Sequence, residues 1–209
     1  MVLVTGPSDE PLTVDDVQSQ LRIADQDVDD STTLARLIRS ARHAVEGFTN
    51  RALLTQTWKH VADGWPWADG FFDLPANLQN VTSVQYTDPS GAVQTLDPSI
   101  YVVSPPVRTP PLAPRNERGR VSLAYSKYWP PPLVQRDVVT VAMTLGYGDT
   151  ADTVPEDILA AMFLLIGTWY EERQDQMIVR GSADKLPRDA ERILTRYQAG
   201  PITRQATAW

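Results

Sequence analysis

TVPEDILAAMFLLIGTWYEER, residues Thr153 to Arg173, decides how the rest of the chain is read. Its start is well marked. Thr153 is placed to cap the first turn and Glu156 to reach back to it, the pairing of a capping box. Pro155 falls in the first turn, where its missing N–H costs nothing, and Asp157 puts negative charge at the positive end of the helix dipole. Ile158, Leu159, Met162, Phe163, Leu164, Leu165, Ile166, Trp169 and Tyr170 then cover most of the helix circumference. A helix apolar nearly all round is packed on more than one side. The run is too short and too charged at its ends to span a membrane, which takes about 20 apolar residues.

Working outward, Leu12–Leu21 reads as a short helix with Thr13 as its cap and Asp15 and Asp16 in its first turn. After an acidic connector, Arg22–Asp30, a second helix starts with Asp30 or Ser31 as cap. Leu34, Leu37, Ile38, Ala41, Val45 and Phe48 recur on one face, with Arg36, Arg39, Arg42 and His43 facing elsewhere. Gly47 weakens the last turn, and Asn50 suits a left-handed terminator. From Leu53 the texture turns to short β-type runs separated by Asp63-Gly64, Asp69-Gly70, Asp88-Pro89-Ser90-Gly91 and Asp97-Pro98. VQYTDPSGAVQTL reads as a hairpin with a four-residue loop. Val138–Leu145, VVTVAMTL, is the strongest strand, being long and β-branched.

SPPVRTPPLAPRNERGR and the following Tyr128-Trp129-Pro130-Pro131-Pro132 are too proline-dense for helix or central strand and read as an extended, mobile surface loop. Beyond the opening stretch, Pro187 starts a helix over Arg188–Tyr197, with Ala190, Ile193, Leu194 and Tyr197 on one face. The predicted class is therefore α+β: an α-helical core of about four helices interrupted by a β-rich insertion. Its parts are 1–52, the N-terminal helices; 53–148, the β-rich insertion; 149–197, the C-terminal helices; and 198–209, an extended tail.

The 209 residues carry 19 Lys and Arg against 26 Asp and Glu, a net charge of −7. An acidic chain is poorly suited to gripping phosphate backbones. The acids concentrate in residues 1–50, while the segment from Arg173 onward is basic, so two complementary faces could meet head to tail between copies. Cysteine is absent, which removes disulfides, thiolate nucleophiles and Cys-ligated metals. The opening MVLVTGPSDEPL has neither a basic n-region nor a signal-peptide apolar core, and the expected site of synthesis and folding is the cytoplasm.

Catalytic constellations are missing. The two histidines, His43 and His60, have no sequence-placed partner, no metal-ligand spacing occurs, and Gly146-Tyr147-Gly148 is a bare turn after a strand. No cofactor or metal is expected. Trp65, Trp67, Phe71 and Phe72 in GWPWADGFF are candidates for stacking on a sugar or plugging into a protein partner, unless that loop simply folds onto the sheet. Ile202 and Trp209 in the tail ITRQATAW stand without a local core.

The order of these motifs resembles the head–tail connector (adaptor, head-completion) family of tailed bacteriophages and related phage-like particles. The series runs from the LT-x-x-D-V helix through LARLIRSARHAVEGFTNRALLTQTW, Leu74-Pro75 with VTSVQYTDPSGAVQTLDPSIYVV, VVTVAMTLGYGD and VPEDILAAMFLLIGTWYEER to LPRDAERILTRYQ. It covers about Leu12 to Tyr197 and departs after Ser104 and after Gln198. The resemblance implies a non-enzymatic virion protein of the neck. It would assemble in the host cytoplasm into a ring, commonly a dodecamer, that joins the portal to a stopper or tail-terminator protein. Double-stranded DNA would pass through without specific binding, and no membrane is involved. It also implies that the C-terminal segment docks on the portal; Ile202, Arg204 and Trp209 are then the expected partner-binding residues, since Trp is a favoured hot-spot residue. The competing readings are a carbohydrate-binding module of a phage tail, with Trp65, Trp67 and Phe71 as platform, and a hydrolase with unpaired carboxylates.

Overall fold

The computed structural model describes residues 1–22, 28–66, 70–104, 118–172 and 186–199. The elements, in chain order, are β1 (Val2–Thr5), α1 (Val14–Leu21), α2 (Val28–Thr49), β2 (Gln56–Ala62), β3 (Phe71–Asp73), β4 (Leu78–Thr87), β5 (Val93–Thr95), β6 (Tyr101–Ser104), β7 (Arg120–Leu123), β8 (Val139–Leu145), α3 (Glu156–Glu172) and α4 (Arg188–Leu194). Among the described residues, four α-helices and two antiparallel sheets make the class α+β.

The helices pack around α3. Ile158, Ala161, Met162, Leu165 and Ile166 are buried against Leu34, Ile38, Ala41 and Val45 of α2, Val17 of α1 and Ala190 and Leu194 of α4. Burying each large side chain contributes about 1.5–3 kcal/mol. The start of α3 differs from the expected capping box. Thr153 closes a 3-10 turn over Ala151–Thr153, and its hydroxyl donates to the Thr150 carbonyl at 2.6 Å. Pro155 takes the cap position instead, its carbonyl accepting from the N–H groups of Ile158 and Leu159. α1 does carry a capping box, between Thr13 and Asp16. α2 begins at Val28, ahead of the expected cap, and ends at Asn50 in the left-handed region with φ 53°.

The larger sheet has the order β1-β2-β8-β4-β5 and the smaller β3-β7-β6. β8 is central because its period-2 pattern buries Val139, Val141, Met143 and Leu145 on one face while β2 and β4 take its two edges. The β4–β5 hairpin turns over Asp88–Gly91, with Gly91 at φ 85°. β1 was not foreseen: the opening residues add an edge strand to β2, leaving Val2, Leu3 and Val4 exposed.

A second apolar cluster joins Trp65, Phe72, Leu74, Leu78, Val84, Leu96, Val121 and the inward residues of β8. Leu53 and Leu54 belong to the helical cluster and Ala52 to the sheet cluster, so the chain crosses between them within three residues. It returns alongside. Tyr147 N–H donates to the Leu53 carbonyl at 3.0 Å and Thr55 N–H to the Gly148 carbonyl at 2.9 Å. At Gly146 (φ 138°) a Cβ would lie 2.6 Å from the Leu54 backbone, so only glycine allows the two crossings this approach.

Candidate partner-binding surfaces

The segment leading to the C-terminal tail is fixed by the end of α2. Ala199 N–H donates to the Thr49 carbonyl at 2.8 Å, and Asn50 Nδ2 donates back to the Ala199 carbonyl at 2.9 Å. The next residue, Arg51, is 4% exposed and donates from Nε to the Tyr197 carbonyl at 2.6 Å. The left-handed conformation of Asn50 aims this three-residue clamp at the chain. Ala199 also borders an apolar cavity of about 390 Å³ whose walls include Met1, Leu3, Trp58, Ala76 and Leu145. The predicted anchors Ile202, Arg204 and Trp209 lie outside the described residues.

Beside this clamp sits a polar junction that corrects the expected placement of Arg42. Arg42 is buried, not on the solvent face of α2. Its Nε and Nη2 donate to the Glu10 carboxylate at 2.7 and 3.2 Å, and Nη1 donates to Glu46 at 3.0 Å. Burial pulls the Arg42 pKa down, but the two carboxylates outweigh it and the net shift is upward. Glu46 also accepts from Leu53 N–H at 2.9 Å and from Gln56 Nε2 at 2.6 Å. Gln56 in turn accepts from Trp58 Nε1 at 3.1 Å. The chain of bonds ties the N-terminal segment and α2 to β2.

The aromatic candidates separate. Trp65 is 4% exposed and stacks on Trp129 with centroids 4.6 Å apart and planes 4° from parallel. Its Nε1 donates to the Pro130 carbonyl at 2.7 Å, and Tyr86 and Phe72 complete its surroundings. The Trp129-Pro130 strap is therefore pinned on the sheet core, unlike the free surface loop expected there. Trp65 presents no open face, which is the folded-loop alternative. Phe71 lies elsewhere, half-buried under the Arg120 guanidinium at 4.2 Å from its ring centroid. Trp67 and the Pro/Arg-rich residues 105–117 lie outside the described residues.

His43 is exposed. His60 packs edge-on to Phe72 at 5.8 Å, its Nδ1 has no hydrogen-bond partner among the described residues, and its pKa is lowered by burial and then by the positive N-terminus. Among the described residues no group of His, Asp and Glu could hold a metal ion, and no helix is long and apolar enough to cross a membrane.

A further surface was missed by the sequence reading. On α3 the stripe Glu156, Ala160, Leu164, Thr168, Glu171 faces outward, and with Phe163, Gly167 and the end of α1 it forms a groove of about 610 Å³. Leu164 is 42% exposed at its centre. Periodicity could not separate this open side from the buried ones, because the helix is apolar all round.

No protein-family model matches the sequence, and no curated protein matches it. Solved structures do. The chain is similar over 97% of its length to a chain in the neck of an empty gene transfer agent (GTA) particle computed with C6 symmetry, covering 98% of that chain at TM-score 0.72 and 22% identity. A chain of the virion of the native GTA particle matches over 97% and 96% at TM-score 0.70 and 23% identity. One in the neck of the native particle, computed with C12 symmetry, matches over 97% and 98% at TM-score 0.67 and 21% identity. The shared fold agrees with the resemblance to head–tail connectors.

Proposed function

We propose that this chain is a structural, non-enzymatic protein of a virion neck: a head–tail connector that forms a ring between the portal and the stopper or tail-terminator, with DNA passing through its bore. The observation that carries the reading is the likeness over 97% of this chain and 98% of the other to a chain in the neck of a GTA particle. The C6 and C12 symmetries of those necks support a ring, twelve-fold in the simplest case. In this reading the helices of 1–52 and 149–197 form the ring body, and residues 53–148 are a β-rich insertion set into it. The separate apolar clusters and the paired crossings at Leu53–Thr55 and Gly146–Gly148 support that division.

The tail 198–209 is the portal anchor. The clamp of Thr49, Asn50 and Arg51 on Tyr197 and Ala199 gives it a fixed point of departure, so less orientational freedom is lost on docking. Trp209 and Ile202 supply apolar contact and Arg204 a charge. The glycan-binding alternative finds no support at Trp65, whose ring is covered by Trp129.

The test is binding of the full chain, and of a chain ending at Gln198, to the portal protein of the same particle by biolayer interferometry. The expected result is strong binding by the full chain and a loss of at least about tenfold on truncation, since one lost Trp hot spot costs 2 kcal/mol or more. Equal affinities would overturn the anchor.

A further inference from the structure

We infer that the outward stripe of α3 is the seat for a second copy of this chain, and that the second copy presents the exposed stripe of its α2. The inference rests on the ring reading above and adds to it the two faces that meet.

The α3 side begins from an imbalance. A helix apolar over most of its circumference is stable in water when those sides are covered. Ile158, Met162, Leu165 and Ile166 are covered within the chain. Ala160 and Leu164 are exposed and Phe163 half-buried, over a groove that Gln20 and Leu21 of α1 wall on one side. Leu21 closes against Gly167, where an added Cβ would come 3.3 Å from its Cδ2. Glu156 and Glu171 stand at the two ends, about 22 Å apart along the helix. The groove is thus an apolar floor between two negative charges, with no basic residue among the described residues that line it.

The α2 side is its complement. From Thr32 on, the exposed positions of α2 are Thr32, Arg36, Arg39, Ser40, His43 and Gly47, which recur at helical spacing over about 22 Å. The charge on that stripe is positive only, in a chain of net charge −7. Its middle is small, at Ser40, which lets another helix approach. Both stripes lie opposite the faces that α2 and α3 bury against their shared core, so one chain offers the two halves in different directions. Such a contact is heterologous: it leaves a free half at each end and closes only as a ring.

The chain has no cysteine, so introduced pairs report without background. Full-length chain carrying both Arg39→Cys and Leu164→Cys is assembled on its portal and treated with a short bismaleimide. The expected product is a ladder extending past the dimer, whereas each single variant stays monomeric. A second arm reverses charge. Glu156→Arg with Glu171→Arg lowers ring yield by at least about tenfold, as like charges meet, and Arg36→Glu with Arg39→Glu in the same chain restores it. Rings visible by electron microscopy without the 39–164 ladder would overturn the pairing and leave the ring reading standing. Crosslinked dimers from a single variant would also overturn it, since they mark a self-paired contact. A native chain that forms no ring on its portal would remove the ring reading itself, and the pairing with it.

Discussion

Glu46 serves three donors from three parts of the chain: the Arg42 guanidinium, the Leu53 N–H and the Gln56 amide. Glu46→Ala leaves two of them without an acceptor and strips one charge from a buried arginine that Glu10 still holds. The expected loss is about 3 kcal/mol in urea unfolding, because breaking one side of a buried pair exposes the cost of the other. Asp88 is a surface counterpart. Its carboxylate accepts from the Ser90 hydroxyl, Gln94 Nε2 and the N–H groups of Ala92 and Ser90, which lowers its pKa from 3.8 to about 2. The folded state therefore holds this proton less readily than the unfolded state. The stability it contributes is present above 3.8 and lost as the pH falls toward about 2. Denaturation of Asp88→Asn should show a smaller drop than the native chain across that window, and an equal drop would contradict the assignment. Asp88 was legible in the sequence, since DPSG is a local turn with its partners within six residues. Arg42 was not. Helical spacing put it with Arg36 and Arg39, and one of the two carboxylates that hold it inside, Glu10, lies 32 residues away.

α3 shows at the scale of an element what a uniform apolar pattern does and does not reveal. Its existence and its packing on more than one side followed from sequence, as did β8 as a long strand, because both depend on local periodicity. Which side of α3 stays open depends on where α1, α2 and α4 fall, and no local pattern encodes that. The start of α3 was misread for a related reason: Thr153 and Glu156 have capping-box spacing, but the preceding Thr150 carbonyl takes the Thr153 hydroxyl. The short strand β1 was missed because four residues carry little pattern without the partner strand β2. Two neighbouring substitutions test the sidedness. Leu165→Ala should cost about 2–5 kcal/mol of chain stability by chemical denaturation, as a fully buried leucine. Leu164→Ala should stay within about 0.5 kcal/mol in the unassembled chain, as a surface change. Similar costs for both would mean that α3 has no open side.

At the scale of the molecule, the sequence already carried the α+β class, though not the strand β1 ahead of α1. It carried the surfaces less well. Of the aromatic group proposed for binding, Trp65 is consumed by packing on Trp129, a contact across 64 residues of chain that loop composition does not predict. The role proposed for the tail draws on its point of departure, where the end of α2 holds Tyr197 and Ala199. A conduit for DNA should not bind it, and acidic side chains facing the bore repel phosphate within a Debye length, about 8 Å at physiological salt. The measurement that bears most directly on the proposed role is cryo-electron microscopy of the full chain mixed with the portal of its own particle. The account predicts a closed ring seated on the portal, its bore lined by more Asp and Glu than Lys and Arg. A chain that remains unassociated with the portal, or a ring with a bore lined mainly by Lys and Arg, would contradict it.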